Sequence, residues 1–138
     1  MNDVFIDTWA WVALADQRDD NHLIAQIAND EILERDRKWV TSNFVLAEAT
    51  TLIRYKVHHA AAVGFRRMAN DLAINDLLTV MRLTQAQEQA AGEIFDRYRE
   101  MDLSFTDCTS FALMRELGIT EAFTGDHHFE AMGYSIVP

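Results

Sequence analysis

Four carboxylates stand where the chain could bring them together. Asp7 directly follows the apolar run Val4-Phe5-Ile6, and Asp126 comes after Ala122-Phe123-Thr124. Asp107 falls in the first turn of a helix that follows a loop, and Glu48 lies within Phe44-Val45-Leu46-Ala47-Glu48-Ala49. Ordinary uses exist for each. An aspartate at a strand end often caps the next helix, and an acid in a first turn complements the helix dipole. Glu48 resists that account, because a lone carboxylate among buried apolar side chains costs on the order of several kcal/mol unless it is paired or coordinated. Arg54 lies at an offset that faces it poorly. Acids converging on one edge repel each other unless a cation sits among them. A hard divalent ion such as Mg²⁺ takes oxygen ligands, often a few carboxylates plus waters, and can activate a water and neutralise charge developing at a phosphodiester. Zinc fits poorly. Cys108 is the only cysteine, and the histidines come as the adjacent pairs His58-His59 and His127-His128 with His22 alone, whereas zinc pairs on a helix need i, i+3 or i+4 spacing. The histidines are therefore expected to be solvated or packing residues.

The elements that must carry these acids follow from periodicity and caps. Met1 to Ile6 contains a buried strand ending at Asp7, and Thr8 to Asp16, apolar nearly all round, reads as a buried helix. An amphipathic helix is expected over Asp19 to Asp36 and a short strand over Lys38 to Ser42. Asn43 can cap a helix running to Lys56, and another helix covers His58 to Leu72. Leu77 to Leu83 is a third strand by its Thr/Val content. Thr84 caps a helix to about Glu100, with Glu88 one position too late for a capping box. Ser104 or Thr106 opens a helix through Leu117, with Gly118 where a C-terminal cap belongs. Glu121 to Thr124 is a fourth strand, His127 to Met132 a turn or two of helix, and Tyr134 to Val137 a last strand. Strands alternating with helices predict a parallel sheet covered on both faces, with a ligand site at the carboxyl ends of the strands.

The 138 residues fit one domain, 1–138, with 49% hydrophobic and 25% charged residues. No apolar run reaches the roughly 20 residues needed to span a bilayer, and the N-terminus carries no signal-peptide pattern, so no membrane association and a cytoplasmic location are expected. A single cysteine, unable to form an internal disulfide, suits a reducing compartment. Twelve Lys+Arg against 22 Asp+Glu give a net charge of −10, which by itself argues against a polyanionic partner. The distribution argues otherwise. From Ala49 to Asn70 there is no acid, and Arg54, Lys56, Arg66 and Arg67 fall in that stretch with His58 and His59 between them. It reads either as a solvated helical face or as a local basic strip able to guide a polyanion past an acidic surface.

Taken in order, Phe5-Ile6-Asp7-Thr8, Leu46-Ala47-Glu48-Ala49-Thr50, Leu103-Ser104-Phe105-Thr106-Asp107-Cys108 and Thr124-Gly125-Asp126-His127-His128-Phe129 with Gly133-Tyr134 resemble PIN domains, and most of all the VapC-type toxins of toxin–antitoxin pairs. The resemblance spans essentially the whole chain. It implies a three-layer α/β/α fold with a central, mostly parallel sheet of four to five short strands. It also implies a ribonuclease in which Asp7, Glu48, Asp107 and Asp126 hold Mg²⁺, or Mn²⁺, and cut single-stranded or loop RNA. Thr8, Ser104 and Thr106 would support that cluster, a small antitoxin would inhibit the enzyme, and a homodimer is expected. Trp9, Trp11 and Phe44, on the helices Thr8 to Asp16 and Phe44 to Tyr55, are either ordinary core, the role expected of each side chain taken singly, or the lining of a groove for an amphipathic antitoxin segment. Gly125 departs from the pattern by being smaller than the residue some relatives would place there.

Other phosphoryl-transfer folds fit less well. A haloacid-dehalogenase-type phosphatase needs a second aspartate two residues after Asp7, where Trp9 stands, and a receiver domain needs a lysine after a late strand, whereas the only lysines are Lys38 and Lys56. Two alternatives remain within the resemblance. One is a PIN nuclease of RNA processing without an antitoxin, and the other a catalytically weak metal- or RNA-binding module.

Overall fold

The structure, a computed structural model, describes residues 3–138; the sequence expectations for Met1 and Asn2 lie outside the described residues. Five short strands form the sheet: β1 (Asp3–Ile6), β2 (Lys38–Ser42), β3 (Leu78–Met81), β4 (Glu121–Phe123) and β5 (Ser135–Val137). Around them run α1 (Thr8–Ala15), α2 (His22–Glu34), α3 (Asn43–Lys56), α4 (His59–Ile74), α5 (Gln85–Arg97), α6 (Phe105–Leu117) and α7 (His128–Ala131). The order across the sheet is β3-β2-β1-β4-β5, and every pairing is parallel.

That order fixes the layers. From β1 the chain steps outward to β2 and β3, then crosses back over β1 to β4 and β5. Right-handed crossovers place α1 to α4 on one face and α5 to α7 on the other. The packing agrees: α1 lies against α2 and α3, α3 against α4, and α5 against α6, while Phe111 of α6 meets Phe129 of α7 edge-on at 4.8 Å. The direction of travel reverses between β1 and β4, which makes their carboxyl ends a topological switch point and opens a crevice there. Arg37 and Glu121 are ion-paired at the opposite end of the sheet, clamping the starts of β2 and β4.

Burial on both faces is why β1 reads as an unbroken apolar run: Val4, Phe5 and Ile6 are all in the core. Trp11 is also core. Its ring packs edge-on against Phe65 at 5.6 Å, and its indole N–H donates to Thr41, whose hydroxyl donates to the Ile6 carbonyl. Trp11 therefore takes the ordinary core role and not that of a groove wall: α1 is sandwiched between α2 and α3, and its indole is consumed in tying α1 to β1 and β2.

Several boundaries differ for identifiable reasons. Ser42, not Asn43, caps α3 by accepting from the Val45 amide, while the Asn43 side chain turns away to accept from Leu83 N–H and secures the end of β3. The capping box of α5 is complete, with Gln87 rather than Glu88 as its reciprocating residue. The second helix starts at His22 rather than Asp19, because Asp19 closes a turn by accepting from Asn21 N–H. His58 caps α4, its ring nitrogen accepting from Ala61 N–H. Gly118 ends α6 in the left-handed conformation, φ 69°, as its position after the last apolar turn requires.

Candidate active site

β1 ends at Asp7, and the crevice beside β4 receives its side chain. Asp7 is 3% exposed, and its Oδ2 accepts a hydrogen bond of 2.8 Å from the Thr124 hydroxyl at the end of β4. Thr124 is itself held, since its Oγ1 accepts from Asp126 N–H at 3.0 Å. One buried threonine thus fixes the carboxylate of the first strand relative to the loop that carries the last acid. Burial pushes the Asp7 carboxyl up to about 7 despite the Thr124 hydrogen bond, and the charges of Asp107 and Asp126 push it the same way.

Asp107 arrives from the other face, in the first turn of α6. Ser104 and Asp107 form a capping box: Asp107 N–H donates to Ser104 Oγ at 3.0 Å, and Ser104 N–H donates to Asp107 Oδ2 at 3.0 Å. The ordinary capping role is therefore real, and it also immobilises the carboxylate. Burial raises the Asp107 carboxyl, the Ser104 amide opposes this, and the charges of Asp126 and Glu48 add to the rise. Asp126 Oδ1 accepts from the backbone N–H of His128 at 2.9 Å and lies 2.9 Å from its ring Nδ1.

One oxygen or nitrogen from each of Asp107, Asp126 and His128 lies within 4.8 Å of the others. Asp7 joins this group through its charge on one side and Glu48 on the other. The four acids named from the sequence thus lie near enough for their charges to act on one another in a chain, Asp7 with Asp107 and Asp126, and Asp107 with Glu48. Glu48 differs from its expectation in one respect. It is half-buried along an open groove formed with Phe44, Thr51, Leu52 and Thr106, rather than sealed among apolar side chains. The segment looks apolar all round in sequence, but its neighbour Ala47 is exposed, so water relieves part of the desolvation cost. Among the described residues no ion pair reaches Glu48, and Arg54 does not pair with it.

Thr8, Ser104 and Thr106 divide. Ser104 holds Asp107, and Thr106 lines the groove beside Glu48. Thr8, 6% exposed at the start of α1, has a buried hydroxyl with no hydrogen-bond partner. Thr124 and His128 are missed by the sequence reading. A hydroxyl two residues before an acid in Thr124-Gly125-Asp126 was the available signal for the first. His128 gave none, because its tie to Asp126 runs through a tight turn and not through helical spacing.

Trp9 accounts for the small Gly125. A Cβ on Gly125 would fall 2.5 Å from Cζ2 and 2.8 Å from Nε1 of Trp9, so the half-buried indole occupies the space a larger residue would fill. Cys108, beside Asp107 in sequence, is fully buried, and burial pushes its thiol up to about 11, leaving an inert packing residue.

Of the four basic residues named from the sequence, two are gathered. Arg54 and Arg66 share a groove with Thr51, Tyr55 and His59, and Arg66 continues into an adjoining groove with Arg82, Asn70 and Asn43. Lys56 and Arg67 are exposed and line neither groove.

A parallel five-stranded sheet with acids from β1, α3, α6 and the β4–α7 turn meeting at its switch point is the arrangement of a PIN domain, and the chain belongs to the PIN domain family, which it matches over residues 4–133. Among known proteins it is similar to VapC20 of Mycobacterium tuberculosis, a 23S rRNA-specific endonuclease, at 34% identity over 95% of each chain. The crystal structure of VapC20, a sarcin–ricin loop cleaving toxin, resembles this fold with a TM-score of 0.84 at 33% identity, covering 98% of this chain and 99% of its own.

Proposed function

We propose that this protein is a divalent-metal-dependent endoribonuclease, a hydrolase of RNA phosphodiester bonds, and the toxin of a toxin–antitoxin pair. The observation that carries the reading is an acid-rich crevice: Asp107 and Asp126 stand with His128 within reach of one ion, and the charges of Glu48 and of Asp7, buried with no cationic partner among the described residues, bear on them. Like charges gathered at such density, with the unpartnered Thr8 hydroxyl beside Asp7, fit a hard cation such as Mg²⁺ or Mn²⁺. Asp7, Asp107 and Asp126 would hold it, with Glu48 at the open edge. When bound, the ion supplies Lewis-acid stabilisation of the phosphodiester and an activated water.

The chain's own residues set the geometry for that chemistry. The Thr124 hydroxyl donates to Asp7 Oδ2 and Ser104 N–H donates to Asp107 Oδ2, so each carboxylate is held in place by a donor from its own surroundings. The His128 backbone N–H donates to Asp126 Oδ1, and its ring Nδ1 lies 2.9 Å from the same oxygen, so this residue holds the last acid in place. Such pre-set carboxylates need little reorganisation as charge develops.

Similarity to VapC20 over nearly the full length makes the sarcin–ricin loop of 23S rRNA the first substrate to try. Purified protein should cut RNA in Mg²⁺ or Mn²⁺ and stop in excess chelator; full cleavage in chelator would remove the metal assignment. In the cytoplasm, a small antitoxin encoded beside it would hold the enzyme in check. Expression alone should slow growth, and co-expression of that neighbour should reverse it. Harmless expression of active protein would leave the nuclease and remove the toxin.

A further inference from the structure

Three phenylalanines cluster beside the acids without being sealed in the core. Phe105, the first residue of α6 and two positions before Asp107, is 40% exposed. Its ring centroid lies 6.2 Å from that of Phe44, on α3 one turn before Glu48, and 6.2 Å from that of Phe95, on α5, which is 48% exposed. Phe44 walls the open groove, about 470 Å³, that also contains Glu48 and Thr106. Apolar rings in water cost free energy unless something covers them. Here they adjoin the groove that holds Glu48 and the helix turn that holds Asp107.

We propose that Phe105, steadied by Phe44 and Phe95, is a stacking platform for an unpaired nucleobase of the RNA next to the bond being cut. The substrate class rests on the ribonuclease reading above; the platform adds a residue-level account of why the target strand must be unpaired. Every base has a π-face, so an exposed ring can hold one whatever its hydrogen-bonding edge. A base within a duplex is already stacked and cannot be offered to such a surface. The groove is continuous with a route for the backbone. Asn43 and Ala47 line both the aromatic groove and the one holding Arg66 and Arg82, and Thr51 lines both the aromatic groove and the one holding Arg54 and Arg66. Among the described residues no acid lines either arginine groove. Bases on one side of α3 and phosphates on the other match the chemistry of a single strand.

The test uses Asp7→Asn protein, which should leave bound RNA uncut, and short single-stranded RNAs carrying 2-aminopurine at successive positions. Its fluorescence is quenched when the base stacks. One position should quench on binding, and Phe105→Ala should abolish that quenching and weaken binding about tenfold. Phe105→Leu, which keeps the apolar volume but has no ring, should behave like Phe105→Ala, and Phe105→Trp should restore quenching. Equal quenching in the Phe105→Ala and parent proteins would overturn the platform. So would a loss of affinity traced by sedimentation to dissociation of a dimer, with quenching unchanged at saturating protein; the rings would then be covered by a second copy of the chain. Cleavage by the unsubstituted protein is measured separately. A chain that stacks the base but never cuts keeps the platform and loses the nuclease, and one that cuts with no stacking does the reverse.

Discussion

At the scale of the residue, a buried carboxylate with a displaced ionisation is the feature with the largest consequences. Asp7 ionises near 3.8 when unfolded and near 7 when folded, chiefly through burial. Between those values the folded, metal-free chain binds the extra proton, so its contribution to stability is fully present below about pH 4 and lost as pH rises through about 7. Chelator-treated protein should be less stable at about pH 8 than at about pH 5 by on the order of a few kcal/mol, read as a lower melting temperature, and Asp7→Asn should flatten the dependence. A pH-independent melting temperature from the unsubstituted chain would show that Asp7 is not held neutral. With metal present the same Asn variant should lose turnover by orders of magnitude, as should Asp107→Asn, and the double variant should be little worse than either, since the acids act as one unit. Single-turnover cleavage decides this; near-normal rates in both would exclude them from the site. These acids were legible because each interrupts an apolar run or opens a helix. Thr124 and His128 were not, because threonine is at home in any strand and adjacent histidines have no helical spacing to betray a shared target.

At the scale of the element, the site depends on how helices begin. Ser104 caps α6 and clamps Asp107 in the same two hydrogen bonds. Ser104→Ala should cost about 1 kcal/mol of stability by the lost cap and should also lower activity more than that small loss explains. A drop in melting temperature with unchanged turnover would separate the cap from the chemistry. Where the β4–α7 turn meets α1, Gly125→Ala forces a methyl into the Trp9 indole and should destabilise by roughly 1–3 kcal/mol. Trp9→Ala in the same chain should recover part of it, and strictly additive losses would mean the two do not touch. Strands and helices were readable from apolar runs and cap residues to within a few positions. The errors fell at caps, where several hydroxyl and amide side chains compete: Ser42 next to Asn43, and Gln87 next to Glu88. Sequence shows the candidates, but only the fold shows that Asn43 is needed at Leu83.

At the scale of the whole molecule, an acidic protein must still meet an acidic polymer. The net charge of −10 hides the two arginine-lined grooves flanking α3, which no acid enters. If Arg54 and Arg66 contact phosphates, Arg54→Ala and Arg66→Ala should each weaken RNA binding and lower the salt slope by roughly one unit, with cleavage of saturated RNA intact. An unchanged slope measured at several salt concentrations would remove that path and leave the acids untouched. The overall parallel sheet was legible from alternation alone, and the burial of Trp11 from its all-apolar helix, whereas its hydrogen bond to Thr41 was not, because nothing local in either segment pairs them. The strand order has one more implication. β1 is made first, but its neighbour β4 and the Thr124 that grips Asp7 are made more than a hundred residues later. The acid cluster can therefore be completed only once nearly the whole chain has been synthesised, because its first carboxylate waits for a hydroxyl near the far end of the sequence.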